Sequence, residues 1–164
     1  DRGLSWTVQP GSGERLWTSI ASSDDGIKLV GCVTSGYIYT SYDSGIQWTQ
    51  RTDAGLRNWR SVASSGDGVR LVACVTGGYI YTSSNSGVDW IPRTSTSLNW
   101  RTVASSQNGT ILAGTVEGGY IYTSYDAGVT WTQRATSQTW HSIAVSSTGQ
   151  YMVASVSATN IYTP

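Results

Sequence analysis

Hydrophobic and polar residues alternate in short runs broken by glycine, and the order of the runs recurs along the chain. From Trp59, the segment Trp59-Arg60-Ser61-Val62-Ala63-Ser64 alternates large and small side chains and predicts a strand. Gly66-Asp67-Gly68 predicts a hairpin turn, because Asp-Gly supplies the positive φ angles that tight turns need. A more continuously apolar run, Val69-Arg70-Leu71-Val72-Ala73-Cys74-Val75, predicts a second strand. Thr76-Gly77-Gly78 turns the chain into a third, Tyr79-Ile80-Tyr81-Thr82-Ser83. Asn85-Ser86-Gly87 turns it into a fourth, Val88-Asp89-Trp90-Ile91-Pro92-Arg93. Joined by turns this short, the four strands form an antiparallel meander, since each parallel crossover would need about a dozen residues.

The same pattern returns at Trp17, Trp59, Trp100 and Trp140, in steps of 42, 41 and 40 residues. A fixed period of this size built from strands is the signature of a propeller or solenoid. One meander cannot bury both faces, and stacked copies bury each face on the next. The expected architecture is an all-β propeller of four-stranded antiparallel blades, four repeats in residues 1–164 as a single domain. One blade is split between residues 1–9 and the C-terminal segment up to Pro164: Asp1 to Thr7 match Asp43 to Thr49, and Asn160 to Thr163 match the Tyr79 strand. Two closures stay open, a four-bladed ring and an eight-bladed ring completed by a homodimer. The whole-number repeat suits an excised or engineered piece, whereas the imperfect copies argue against a strictly symmetric design.

The turn before each fourth strand is the most specific motif. It reads Ser41-Tyr42-Asp43-Ser44-Gly45-Ile46-Gln47-Trp48, then Ser83-Ser84-Asn85-Ser86-Gly87-Val88-Asp89-Trp90, then Ser124-Tyr125-Asp126-Ala127-Gly128-Val129-Thr130-Trp131. Asp1, Gly3 and Trp6 match it in the split copy. These segments resemble the Asp-box, or BNR, repeat of sialidases, sortilin-type receptors and photosystem II assembly factors. The resemblance implies a structural role: the carboxylate ties the turn by accepting from backbone amides, glycine permits it, and tryptophan packs beneath. The second copy departs in carrying Asn85, which can still accept such a bond.

Sialidase chemistry, which the resemblance also raises, needs three converging arginines and a Tyr-Glu pair. Arg51, Arg93 and Arg134 instead share one repeat position, with Gln9 in the fourth copy, and only Glu14 and Glu117 could serve as the glutamate. His141 is the only histidine and no nucleophile elbow accompanies it. The expectation is no enzyme, no cofactor and no metal site. Asp24, Asp25 and Asp67 lie in turns that form without calcium, and Asn108-Gly109-Thr110 reads as a turn although it also fits a glycosylation sequon.

Charge narrows the partners. Net charge is zero, 12% of residues are charged, and Lys28 is the single lysine, so no basic stripe for nucleic acid or anionic membrane is visible. No apolar run approaches the ~20 residues that span a bilayer. Cys32 and Cys74 occupy one repeat position, 42 residues apart, and read as small core residues with free thiols.

What remains is binding. The first expectation is a lectin-like, glycan-binding module using Trp17, Trp59, Trp100 and Trp140 with the residues that follow, Arg60, Arg101 and His141. Repeated weak sites would act together. The alternatives are a protein-interaction scaffold, or an engineered or excised fragment with no small-molecule ligand. Thr18, Arg60, Arg101 and His141 differ at one repeat position, which argues against four identical sugar sites.

Overall fold

The computed structural model describes residues 4–94, 96–158 and 160–164. It contains fifteen strands and a single 3-10 turn, Pro10–Ser12, among those residues. β1 (Trp17–Ser22), β2 (Leu29–Val33), β3 (Ile38–Ser41) and β4 (Thr49–Arg51) form an antiparallel meander in chain order. The pattern repeats in β5 (Trp59–Ser64), β6 (Leu71–Gly78), β7 (Ile80–Ser83) and β8 (Ile91–Pro92), and in β9 (Leu98–Ser105), β10 (Leu112–Val116), β11 (Gly119–Ser124) and β12 (Thr132–Gln138). β13 (Trp140–Val145), β14 (Met152–Val156) and β15 (Ile161–Tyr162) make a three-stranded sheet. β6 also pairs with β9 at Thr76–Asn99 and Gly78–Leu98, which ties the second and third meanders together.

Several strand boundaries of the second unit differ from the sequence expectation: β6 runs on through Thr76-Gly77-Gly78, which the sequence reads as a turn, because it pairs there with β9. The second strand of the second unit starts at Leu71, because the Val69 amide is held by the Asp67 carboxylate. Its fourth strand keeps only two residues, because Val88 and Asp89 donate backward into the preceding turn.

Each first strand carries a bulge at the same place. The register slips between Trp17 and Ser19, between Trp59 and Ser61, and between Trp140 and Ser142; in the third unit it slips where Trp100 and Thr102 pair with Val116 and Thr115. The skipped residue is Thr18, Arg60, Arg101 or His141. A bulge bends the strand and re-aims a side chain. Here it turns the tryptophan into the sheet interface.

The sheets stack face to face. Residues Val30, Cys32 and Ile38 of the first sheet pack on Trp59, Val62, Leu71 and Tyr81 of the second. Val72, Cys74 and Ile80 pack on Trp100, Val103 and Leu112 of the third. Ala113 and Ile121 pack on Trp140, Ile143 and Ala154 of the fourth. Polar ties reinforce the stack: the Val62 amide donates to Ser19 Oγ at 3.2 Å, and the Val103 amide to Ser61 Oγ at 3.2 Å. At the tips of the first hairpins, Asp24 N donates to Gly66 O, Gly66 N to Gln107 O, and Gln107 N to Ser147 O, at 2.7–2.9 Å. Both thiols are free and buried, and burial pushes the Cys32 thiol up to about 11 and the Cys74 thiol higher still.

Of the two closures the sequence leaves open, the four-bladed ring within one chain is not formed among the described residues. The sheets do not join into a ring, and residues 4–9 lie outside the strands rather than beside β15. Asp1 and Gly3 of the split copy fall outside the described residues. Antiparallel pairing of consecutive strands follows from local turn chemistry, whereas joining the two ends needs contacts across the whole chain, which no turn dictates.

Candidate functional site

Two repeated turns organise the surface. In the first complete copy of the turn before the fourth strand, Ser41 Oγ donates to Asp43 Oδ1 at 2.7 Å and accepts from Gly45 N at 2.9 Å. Asp43 Oδ1 also accepts from Gln47 N at 2.9 Å, and Trp48 Nε1 donates to Gly45 O at 3.0 Å. The same set recurs around Ser83, Asn85, Gly87 and Trp90, and around Ser124, Asp126, Gly128 and Trp131. Gly45, Gly87 and Gly128 take φ of 92°, 89° and 87°, where a side chain would be strained. These donors hold the Asp43 carboxyl below its usual range, and the Thr130 hydroxyl and amide bring Asp126 to about 2. Asp43 and Asp126 are thus occupied in shaping turns.

The second turn was legible in the sequence as an Asp-Gly hairpin, but the serine that holds its carboxylate was not. In the first hairpin of each of the first two units, Ser23 and Ser65 donate to Asp25 and Asp67 at 2.5 Å, and those carboxylates accept from Ile27 N and Val69 N. Ser106 and Asn108 repeat the arrangement in the third. The recurrence of Ser-x-Asp/Asn-Gly at the repeat spacing was the available signal. These bonds lower the Asp25 and Asp67 carboxyls, and no metal-ligand cluster occurs among the described residues.

Three of the four tryptophans named as a sugar platform do not lie on the surface. Trp59, Trp100 and Trp140 are 0–1% exposed, and Trp17 is half-buried. Trp59 meets Tyr81 edge-on at 5.1 Å and Trp90 at 6.3 Å, and Trp100 meets Tyr122 at 5.2 Å and Trp131 at 6.1 Å. Trp59 Nε1 donates to Gly55 O, and Trp140 Nε1 to Thr136 O. The ring faces of these indoles are used by packing.

The bulge residues beside them face outward. Arg60 and His141 are exposed and Arg101 is half-buried. Arg101 Nη1 lies 2.9 Å from Glu117 Oε1, and its Nη2 lies 3.0 Å from His141 Nδ1. With Nδ1 accepting from the guanidinium, the imidazole keeps its proton on Nε2. Along the first strands this makes a line of cationic and imidazole groups, with Thr18 in the first unit, where Thr18 Oγ1 donates to Trp59 O. Arg51, Arg93 and Arg134 do not converge: each Nε donates within its own sheet, to Thr40, Thr82 or Thr123.

A groove of about 230 Å³ opens beside the third unit, lined by Arg93, Thr94, Leu98, Trp100, Tyr122 and Trp131. Trp131 and Tyr122 are half-buried there, and Trp100 Nε1 is a buried donor with no acceptor among the described residues. Two larger cavities, of about 510 and 480 Å³, lie on the two end sheets.

No family model matches the chain, and no curated protein matches it. Solved structures do. The GH74 enzyme of Niastella koreensis superposes with a TM-score of 0.73 at 20% identity, over 90% of this chain and 22% of that one. YCF48 bound to a D1 peptide gives 0.66 at 12% identity, over 91% and 54%. A nidogen/laminin complex gives 0.68 at 17%, over 84% and 54%. The chain folds as a β-propeller. It spans between about a fifth and just over half of the length of these propeller structures. Identities this low carry the propeller fold and not the activity.

Proposed function

We propose that this chain is a non-catalytic, Asp-box-type propeller domain of four blades, and that it acts by binding another protein through the bulge line Arg60, Arg101 and His141. The observation that carries this reading is the opposite fate of neighbouring residues: Trp59, Trp100 and Trp140 are turned inward and sealed, while of the bulge residues after them Arg60 and His141 are exposed and Arg101 is half-buried. Sugars need an accessible aromatic face, and Trp59, Trp100 and Trp140 have none. The outward residues present guanidinium and imidazole donors, which suit acidic side chains and terminal carboxylates of a peptide. Two of the similar structures are of protein complexes, YCF48 with a D1 peptide and nidogen with laminin, which supports the same direction.

The non-catalytic part rests on electrostatics. A glycosidase needs one carboxyl raised to act as general acid. Asp25, Asp43, Asp67 and Asp126 are instead held below the ordinary carboxyl range by turn donors, which suits shaping turns rather than giving up a proton.

A glycan-binding reading keeps one specific support, the groove at Tyr122 and Trp131, where Arg93 accompanies half-open aromatic rings. The deciding experiment probes the labelled protein on a peptide array and a glycan array, with Arg60→Ala and Arg93→Ala beside it. Binding to acidic peptides lost in Arg60→Ala supports the protein-interaction reading. Binding to a defined sugar that survives Arg60→Ala and disappears in Arg93→Ala overturns it in favour of the groove.

A further inference from the structure

The two end sheets of the propeller are unfinished in complementary ways. Ile20 is 65% exposed, whereas its repeat equivalents Val62, Val103 and Ile143 are 4–7% exposed between sheets. At the other end, Val153 is 40% and Ile161 73% exposed, whereas Val30 and Val72 are 1%, and Ile38 and Ile80 are 0%. One end shows the face that every later sheet buries, and the other shows the face that every earlier sheet buries.

The last sheet also has an empty seat. In the second unit Trp90 sits against Trp59, and the turn glycine before it, Gly87, lies beside Thr40 and Leu71. In the third unit Trp131 sits against Trp100, and Gly128 lies beside Thr82 and Leu112. The equivalent residues in the last unit are Trp140, Tyr162, Thr123 and Met152. Trp140 still has its edge-on tyrosine, Tyr162, at 5.2 Å. All four line the 510 Å³ cavity, which is bounded by Ile121 and Ile143 as well. A cavity this large and this apolar on an exposed edge marks a docking site. Its lining residues hold the places that receive the fourth-strand indole in the second and third units.

This chain carries such a piece. Leu4-Ser5-Trp6-Thr7-Val8-Gln9 matches Ile46-Gln47-Trp48-Thr49-Gln50-Arg51, the fourth-strand segment of the first unit. In this structure it lies at the opposite end of the stack, where Ser5, Trp6, Thr7 and Gln9 line the 480 Å³ cavity with Trp17, Ile20, Leu29 and Trp48. We infer that the occupant of the empty seat is a second copy of this chain: residues 4–9 of each copy form the fourth strand beside β15 of the other, with Trp6 seated on Trp140. The same docking covers Ile20 and Leu29 of one copy with Val153 and Ile161 of the other. It continues the sheet-on-sheet packing already made three times within the chain. Two identical junctions related by a two-fold axis close the ring, so no sheet edge or face is left for further growth.

The test is the mass of the full chain in solution at micromolar concentration, by light scattering on a sizing column. Twice the 17.6 kDa chain mass is expected. Trp6→Ala, and separately Ile20→Lys at the opposite contact, are expected to give monomers with unchanged far-UV circular dichroism. Removing a seated indole raises the dissociation constant about a hundredfold or more. An excess of a synthetic peptide of residues 1–9 is expected to split the dimer and bind one per chain, and the Trp6→Ala peptide to do neither. A monomeric wild-type chain overturns the proposal, as does a dimer that survives Trp6→Ala, or a peptide without effect. A mass that climbs without limit with concentration overturns the closed two-copy ring.

Discussion

Asn85 stands where Asp43 and Asp126 stand in the neighbouring copies, and the structure says why replacing it with aspartate is harmful. Asn85 Oδ1 accepts from Ser83 Oγ at 2.9 Å and from Asp89 N at 3.0 Å, as an aspartate would. Its Nδ2 donates to Asp89 Oδ2 at 2.7 Å. The other copies have Gln47 and Thr130 at the Asp89 position, and the Thr130 hydroxyl donates to Asp126 at 2.6 Å. Asn85→Asp therefore removes a charge-assisted hydrogen bond and sets two carboxylates side by side. Two unit charges about 4 Å apart repel by about 1 kcal/mol even in bulk water, and the lost bond adds a comparable amount. A destabilisation of about 1–2 kcal/mol is expected at pH 7, a fall in Tm of roughly 2–8 °C for a chain of this size. Repulsion raises the carboxyl pKa values of the folded variant, so the loss is full above that range and shrinks as acid protonates one partner. The assay is urea and thermal denaturation of wild type, Asn85→Asp, and Asn85→Asp/Asp89→Thr at pH 7 and pH 3. The double variant, which rebuilds the Asp126–Thr130 arrangement, is expected to recover most of the stability. A single variant as stable as wild type at pH 7, or a double variant no better than the single, would refute the reasoning.

Trp59→Ala is expected to cost about 3–5 kcal/mol in urea denaturation, and Trp17→Ala clearly less, because Trp17 is only half-buried. Gly128→Ala should destabilise well beyond Gly118→Ala: both have φ near or above 65°, but a Cβ at 128 meets Thr82 Cγ2 at 2.7 Å and one at 118 meets nothing within 4 Å. Asp126, with a folded pKa of about 2 against 3.8 for the free group, contributes stability above pH 4 that is lost as the pH falls towards 2. Asp126→Asn is expected to flatten the urea midpoint between pH 5 and pH 2 relative to wild type. Ellman's reagent should titrate no thiol in the native protein and two after unfolding, since both are buried with raised pKa values.

Local chemistry made much of this protein legible in its sequence. Glycines at positive φ, serine–aspartate turns and alternating strands act over a few residues, so the meander and its period of about 41 residues follow from the text of the chain. The turn residues Asp43, Asn85 and Asp126 were legible for the same reason: their partners lie within four residues. What only the tertiary structure decided is which of several equivalent residues meets what. Ile20 and Val62 hold the same place in the repeat, yet one is open and the other sealed, because burial depends on whether another sheet lies against it. The tryptophans look alike as packing residues or sugar platforms until a bulge, set by pairing with a distant strand, turns them inward. The pairing of Arg101 with Glu117 and His141 spans 16 and 40 residues, and no local rule reaches that far. Closure belongs to the same class: strand order within a unit is a matter of short turns, but what fills the seat at Trp140 depends on surfaces at the two ends of the fold.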